Sequence, residues 1–235
     1  MKKVLVVALV LCSSFAWAGD DVTVEVTSTS KTSPTVSAAS DPSVPQGQAW
    51  SALGGKTLAP GSNQLEADLG YPAISASFLR GVLPGFNVGA RLGFVYGVEG
   101  MVRESGPGFK AQALLKVRLL DNGQVSLGVV FEPGFFTYSS YLQGARVGLA
   151  LPVGFRLGIA ASSALAIGVH VDVPMWVEFG QFGGFNLPIL TGGGVEYFLT
   201  SELAAFARVR VGPTIRTLRP AEVTFDAAVG VAWRF

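Results

Sequence analysis

The sequence has little charge, one cysteine and one histidine. Of its 235 residues only 14% are charged, against the roughly 25% that is usual for soluble globular chains. Cys12 is the single cysteine and His170 the single histidine. A disulfide framework and a metal centre built from Cys and His are therefore excluded, and we expect no metal and no cofactor.

Long hydrophobic runs are also missing after the N-terminal stretch. The longest strongly apolar run without a charge, 157–169, contains Ser162 and Ser163 in its middle. It is too short for a transmembrane helix, which needs about 20 apolar residues. The 17 basic and 16 acidic residues nearly balance, so nothing indicates binding to nucleic acid or to an anionic membrane surface.

The N-terminus has the pattern of a cleavable export signal. Lys2 and Lys3 precede an apolar core over 4–11, and small residues flank Trp17 in the sequence Ala16-Trp17-Ala18. This order is typical of a secretory signal peptide over 1–18, with cleavage after Ala18. A lipoprotein attached through Cys12 is the alternative. It fits less well because Leu11 is too large for the position before such a cysteine.

Residues 19–48 follow as a segment rich in Ser, Thr, Val, Asp and Pro, without an aromatic residue. Such a composition buries too little apolar surface to offset its chain entropy, so it predicts a disordered periplasmic leader. Trp50 marks either an interfacial anchor or the start of the ordered chain. The remaining residues, 49–235, are predicted to form one domain.

From about residue 63 onward, apolar residues alternate with polar or small ones. Alternation with period two is the pattern of β-strands, whose side chains point to opposite faces in turn. The parity switches at Tyr71-Pro72, where we predict a tight turn rather than a bulge. With that turn, and with the hairpin signal at Asn122-Gly123, the sequence predicts about ten strands, within a range of 8–12.

Three features favour a transmembrane antiparallel up-and-down β-barrel over a soluble, lipocalin-like barrel. The predicted strands span about 9 to 13 residues, whereas soluble strands average about five or six. Their apolar faces are almost unbroken. Short turns alternate with longer connections near 100–106, 134–142, 174–185 and 212–221, as in outer-membrane barrels.

Aromatic residues cluster at the ends of the predicted strands, where the membrane interfaces would lie. The cluster on the side of the longer connections comprises Phe135, Phe136, Tyr138, Tyr141, Trp176, Phe179, Phe182 and Phe185. The cluster on the side of the short turns comprises Phe155, Tyr197, Trp233 and Phe235.

With the apolar faces outward, the charged residues line the lumen. The set comprises Glu66, Asp68, Arg91, Lys110, Lys116, Arg118, Glu132, Arg146, Arg156, His170, Asp172, Glu178, Glu196, Arg208, Arg210, Asp226 and Arg234. A ten-stranded barrel is only slightly wider than one that side chains fill, so we expect an ion-pair network in a closed or very narrow lumen. The alternative is a small-solute channel, because many inward glycines leave room. A second alternative is a surface hydrolase that uses His170 and Asp172.

Two stretches resemble outer-membrane β-barrel proteins of Gram-negative bacteria. The alternating C-terminal residues Val229, Val231, Trp233 and Phe235 resemble the signature that the barrel-insertion machinery reads. Residues 54–97 resemble the opening of small members, with Lys-Thr-Leu-Ala-Pro-Gly, Gly-Tyr-Pro and Val-Gly-Ala-Arg-Leu-Gly. The resemblance implies an outer-membrane location with periplasmic termini. It also implies contact with outer-membrane lipid, and with the insertion machinery and periplasmic chaperones during biogenesis. It assigns no functional residue, since such proteins are mostly of unassigned function.

Overall fold

The computed structural model describes residues 48–96, 107–140, 144–179, 184–216 and 221–235. These ranges contain fourteen β-segments in a single antiparallel sheet. The segments are β1 (Asn63–Tyr71), β2 (Ala73–Leu83), β3 (Phe86–Val95), β4 (Gly108–Asp121), β5 (Val125–Phe131), β6 (Gly134–Ser140), β7 (Gly144–Ala150), β8 (Val153–Ala160), β9 (Leu165–Val173), β10 (Trp176–Phe179), β11 (Phe185–Pro188), β12 (Leu190–Phe198), β13 (Leu203–Arg216) and β14 (Glu222–Arg234).

The sheet closes into a barrel because the first and last segments pair with each other. β1 and β14 are antiparallel neighbours, with Leu65 opposite Trp233 and Tyr71 opposite Ala227. Each of them also pairs on its other side, β1 with β2 and β14 with β13. Closure of this kind satisfies the backbone hydrogen-bonding groups without water, which is the condition for a sheet to stand in lipid.

Four strands of the wall consist of two segments each, because a proline interrupts them. The joined pairs are β5 with β6, β7 with β8, β9 with β10, and β11 with β12. The first three breaks contain Pro133, Pro152 and Pro174, and the fourth, at Ile189, directly follows Pro188 at the end of β11. Proline has no N–H to give to a ladder. Across the described part of the chain the wall therefore has ten strands, as predicted.

The tight turn predicted at Tyr71-Pro72 is confirmed. β1 and β2 lie on either side of it as antiparallel neighbours, with Leu69 opposite Ile74. The turn lies at the end of the barrel where β3 ends and β4 begins. We call this end the loop end. The opposite end carries Asn63, Phe235 and the short turns, and we call it the turn end.

Three of the predicted longer connections are wrong in their extent. The strands continue through most of them, as β6, as β10 and β11, and as β13 up to Arg216. The prediction failed there because inward aromatic residues and prolines break the simple alternation. The predicted connection 100–106, together with Tyr141 and Phe182, lies outside the described residues.

The apolar side chains of the wall point away from the barrel axis. Leu92 is 66% exposed and Val229 57% exposed, whereas Asp226, on the other face of β14, is 5% exposed. This is the reverse of a soluble barrel, whose apolar residues fill the interior. In the described residues, no helix has the length and hydrophobicity to cross a membrane.

Candidate functional site: the filled lumen

The first described residues, 48–58, lie inside the barrel rather than in its wall. They form no strand, and we call them the plug. The plug enters at the turn end, where the side-chain amide of Gln48 donates to the carbonyl of Ser163 at 2.6 Å and the Trp50 indole donates to the carbonyl of Ser201 at 2.9 Å. Both acceptors belong to turns between wall strands, so the plug is fastened to the rim.

Apolar side chains of the plug form a core with the lumen wall near the turn end. Trp50, Leu53 and Leu58 are 1–3% exposed. Their buried partners on the wall are Leu79, Leu114, Phe198, Ala204, Phe206 and Ala232. Trp50 meets the Phe198 ring edge-on, with the centroids 5.5 Å apart. Burial of each large side chain stabilises the plug by about 1.5–3 kcal/mol. Trp50 is therefore not an interfacial anchor on the outer surface, because its side chain is buried inside the barrel.

The carboxylate of Glu196 holds the plug at its deepest part. It accepts hydrogen bonds from the Ser51 hydroxyl at 2.5 Å, from the Ala52 amide at 2.8 Å and from the Leu53 amide at 3.4 Å. A segment without a strand ladder needs other partners for its buried amides, and Glu196 supplies them. Lys116 donates to the Ser51 carbonyl at 2.7 Å, which places a positive charge on the same plug residue.

Further polar contacts fix the rest of the plug. His170 Nε2 lies 3.0 Å from the Leu53 carbonyl oxygen, and the Leu58 amide donates to Asn87 Oδ1 at 3.2 Å. The Lys56 ammonium donates to the carbonyls of Gln48 at 2.9 Å and Gly123 at 2.8 Å. Lys56 thus ties the entering end of the plug to the turn between β4 and β5.

Glycines on both sides make this close packing possible. A Cβ on Gly55 would lie 2.4 Å from the backbone carbonyl carbon of Leu127. Conversely, a Cβ on Gly158 would lie 3.0 Å from the Cα of Gly54, and one on Gly194 would lie 2.8 Å from Leu53 Cδ1. The inward glycines of the wall do leave room, and the plug fills it.

Between the plug and the loop end, ion pairs cross the middle of the lumen. Arg210 donates to Asp172 at 2.9 Å and to Asp226 at 2.8 Å, and Asp172 also pairs with Arg156. Arg208 extends this chain from Asp226 to Asp68. Buried charges are tolerated when they are paired and hydrogen-bonded in this way.

A second group of ion pairs joins other wall strands. Arg91 donates to Glu132 at 3.0 Å and lies 3.4 Å from Glu66. The cavity between these groups and the loop end has a volume of about 80 Å³. At roughly 10–15 Å³ for each water, it holds only a handful of water molecules. In the described residues, the free space between these ion pairs is therefore small.

Near the loop end the lumen is lined by aromatic side chains around one carboxylate. Glu178 accepts hydrogen bonds from the Tyr138 hydroxyl at 2.7 Å, from the Trp176 indole at 3.1 Å and from Arg146. The Phe136 ring stacks on Tyr138 at 5.8 Å between centroids. We call the cavity here the vestibule; its lining comprises Pro72, Ala73, Val95, Lys110, Phe136, Thr137, Tyr138, Ala150, Pro174 and Trp176.

Part of the predicted aromatic belt is wrong, because three of its residues line the vestibule. Phe136, Tyr138 and Trp176 point into the lumen, not toward a membrane interface. The wall does expose other members of the loop-end cluster, which are Phe135, Phe179 and Phe185. Tyr197, Trp233 and Phe235 are exposed on the outer face near the turn end. Phe155 is also exposed on that face, but it lies opposite Val129 and Val171, farther along the strands than predicted.

Most of the predicted lumen residues are buried or half-buried inside the barrel, but two lie at its rim. Arg118 has a side chain that is 36% exposed and pairs with Asp121 at 3.3 Å. Arg234 is the last residue of β14 and is half-buried at the turn end. The C-terminal set Val229, Val231, Trp233 and Phe235 faces outward.

The plug is the functional element that the sequence pattern did not predict. It has no alternation and no helical period, so it carries none of the signals by which an element is usually recognised. One signal was present: Trp50, Leu53 and Leu58 are three large apolar residues around the Gly54-Gly55 pair. Together with the many inward glycines of the wall, that run indicates a segment packed against a close surface.

No protein-family model and no curated protein sequence matches the chain. Among solved structures, the N-terminal beta-barrel domain of Pseudomonas aeruginosa OprF is similar, with 13% identity over 76% of this chain and 100% of that one and a TM-score of 0.35. The KdgM porin in complex with disordered oligogalacturonate has 9% identity, covers 74% and 99%, and has a TM-score of 0.38. The KdgM porin alone has 10% identity over the same shares and a TM-score of 0.37. At such low identities and scores, these structures assign no ligand to this chain.

Proposed function

We propose that this protein is an integral outer-membrane β-barrel that its own residues 48–58 keep closed. The closed sheet and the outward apolar wall support placement in a membrane, and bacterial barrels of this type occupy the outer membrane. In this proposal the turn end, where the described chain begins and where Phe235 lies, faces the periplasm, and both termini are periplasmic. Outer-membrane lipid surrounds the wall, and the insertion machinery and periplasmic chaperones act during biogenesis.

The filling of the lumen carries the proposal. The plug occupies the turn end with three buried apolar side chains and is held by Glu196, Lys116 and His170. The ion pairs of Arg210 and Arg91 occupy the middle. A solute would have to displace both layers, so the role that fits is a structural barrel that does not conduct at rest.

Planar-bilayer recording tests this directly. The wild-type barrel is expected to show no stepwise current, because water has no continuous path through it. A variant with Trp50→Ser, Leu53→Ser and Leu58→Ser loses the apolar contacts of the plug and is expected to conduct. Stepwise current from the wild type, at the same frequency as from the triple variant, would contradict the closed lumen.

A small-solute channel is the second candidate. It is favoured by the way the plug is held, since the plug makes side-chain contacts and no strand ladder with the wall. In this candidate function, the plug leaves its site while the ladder of the wall stays intact. Rare current bursts in wild type that become continuous in the triple variant would favour this candidate over a permanently closed barrel.

The geometry gives little support to a hydrolase at His170. Its Nε2 faces the Leu53 carbonyl, and the residue is 1% exposed. Asp172 is engaged by Arg156 and Arg210. While the plug is in place, no substrate reaches this imidazole.

A further inference from the structure

A row of three prolines crosses the wall at the height of the vestibule. Trp176 lies opposite Ala150 and Val173 opposite Val153, which places Pro174 opposite Pro152. Asp172 lies opposite Leu190 and Trp176 opposite Asn186, which places Pro174 opposite Pro188 as well. Pro152, Pro174 and Pro188 thus stand side by side on three neighbouring wall strands.

At one of these contacts the wall lacks two hydrogen bonds. The Ile189 amide donates to Pro213 on β13, so the backbone nitrogens on either side of it, at Pro188 and Leu190, face β9 and β10. The Leu151 amide donates to the Met175 carbonyl, so Pro174 faces the opposite way, toward Pro188. In an antiparallel ladder such a pair exchanges two N–H···O bonds. Two prolines supply neither.

Beyond this gap the two strands are joined only briefly. β10 and β11 pair at Trp176 with Asn186 and at Val177 with Phe185, and the Glu178 amide donates to Gly184 at 3.0 Å. Below the gap, β9 and β12 pair over eight consecutive positions from Leu190 to Tyr197. In the described residues, the seam between β10 and β11 therefore combines a short ladder with a pair of missing hydrogen bonds.

The seam separates two apolar surroundings. On its inner side the vestibule borders the β10 edge of the seam, with Trp176 and Pro174 in its lining. On its outer side Phe179 and Phe185 are exposed among the apolar residues of the wall. In the membrane placement proposed above, the molecules outside the seam are acyl chains.

We propose that β10 and β11 part at the Pro174–Pro188 seam as a lateral gate, and that the vestibule takes up the end of an acyl chain from the membrane. The proposal rests on the membrane placement of the proposed function, but not on the state of the plug. Phe136, Tyr138 and Trp176 give the vestibule an apolar lining for such a chain. The Arg–Asp network beneath, from Arg156 to Asp226, forms a charged floor that stops it.

A disulfide staple across the seam tests the gate. Val177 and Phe185 are directly opposite, so Val177→Cys with Phe185→Cys joins β10 to β11 when oxidised. Ile167→Cys with Val195→Cys is the matched control, because these residues are also directly opposite on the same two wall strands, within the intact ladder. Both pairs are made in the full chain and compared in oxidised and reduced form.

The readout is quenching of Trp176 fluorescence, obtained as the difference between each protein and its Trp176→Phe counterpart. One arm adds dibrominated stearic acid to protein in micelles, and the other places the protein in bilayers of dibrominated phosphatidylcholine. The gate is supported if Trp176 is quenched in either arm, if oxidation of the staple abolishes this quenching, and if oxidation of the control pair does not. The arm that responds identifies a free fatty acid or a phospholipid as the source of the chain.

Two results would overturn the proposal: Trp176 unquenched in both arms, or quenching that the oxidised staple leaves unchanged. A conducting wild-type barrel would count only against the closed lumen, since quenching still decides the gate.

A second variant tests the seam without a crosslink. Pro174→Ala with Pro188→Ala restores both N–H donors, which should raise protection of the Trp176 and Glu178 amides, which face β11, from hydrogen exchange about tenfold. Pro152→Ala is the control, because the Leu151–Met175 hydrogen bond beside it is already present. Equal protection in the double variant and the wild type would show that the missing bonds do not weaken this seam.

Discussion

The two ends of the lumen are filled by different means. At the turn end, a segment of the chain packs as an apolar core, with Trp50, Leu53 and Leu58 in contact with the wall. Toward the loop end, the wall supplies the filling itself, through ion pairs in the middle of the lumen and through three aromatic residues near Glu178 at the loop end. The first filling is a separate segment of the chain, whereas the second is built into the strands of the wall.

We therefore expect the plug to determine whether the lumen is closed, and the ion pairs to contribute to the stability of the barrel. The plug contacts the wall through many side chains at once, so a change at its centre should release all of it. The ion pairs link wall strands two by two, so the loss of one charge should weaken the barrel without opening it. Substitutions at the two ends should accordingly give different combinations of leakage and stability.

The largest effect is expected from Gly55→Val. The new Cβ would lie 2.4 Å from the Leu127 backbone, and backbone atoms of a closed wall cannot give way, so the plug must leave its site. Stepwise current in planar bilayers should appear where the wild type is silent. The barrel should still show heat-modifiable migration on a detergent gel, because the wall is unchanged.

Gly93→Ala is the matched control at the loop end. Its new Cβ would have no neighbour closer than 3.7 Å, which is an ordinary contact. This variant should stay silent in the bilayer. Current from Gly93→Ala, or silence from Gly55→Val, would contradict the assignment of closure to the plug.

The next effect compares two buried carboxylates that each accept three hydrogen bonds. Glu196→Ala leaves the donors of Ser51, Ala52 and Leu53 without an acceptor and removes one of the negative charges that act on Lys116. Leaving a buried hydrogen-bonding group without its partner costs about 1–3 kcal/mol. Urea unfolding in detergent should show a loss of this size, and the bilayer should show leakage.

Glu178→Ala should behave differently, because its donors Tyr138, Trp176 and Arg146 belong to the wall near the mouth. Its loss of stability should be smaller, since water reaches this end of the lumen, and the barrel should remain silent. The Trp176 emission should change instead. Equal leakage from both variants would show that the two ends close the lumen in the same way.

The wall was largely predictable from the sequence because lipid and lumen impose opposite demands on alternate residues. Leu65, Ala67 and Leu69 face outward for the same reason that Glu66 and Asp68 face inward, and each pair of neighbours repeats the signal. The ends of the strands were less predictable. Phe135 points outward and Phe136 inward. Two adjacent aromatic residues do not indicate in the sequence which of them faces the lumen.

The plug was not predictable because its conformation depends on distant residues. Gly54 and Gly55 are required by the closeness of Gly158 and Leu127, which only the closed barrel brings near. Glu196 looked like one lumen charge among many, and its role as the acceptor for the plug amides follows from the path of 48–58. Local sequence specifies neither of these contacts.

The smallest effect is expected from Arg210→Ala in the central network. Asp172 keeps Arg156 and Asp226 keeps Arg208, so each carboxylate retains a partner and the loss should be about 1–3 kcal/mol. Urea unfolding should show this loss, while the bilayer stays silent because the plug is untouched. Arg210→Ala combined with Asp226→Ala should cost less than the sum of the two single variants, since removing both partners leaves fewer charges unpaired. Strict additivity would mean that Arg210 and Asp226 contribute independently and that the ion pair between them does not couple the wall strands.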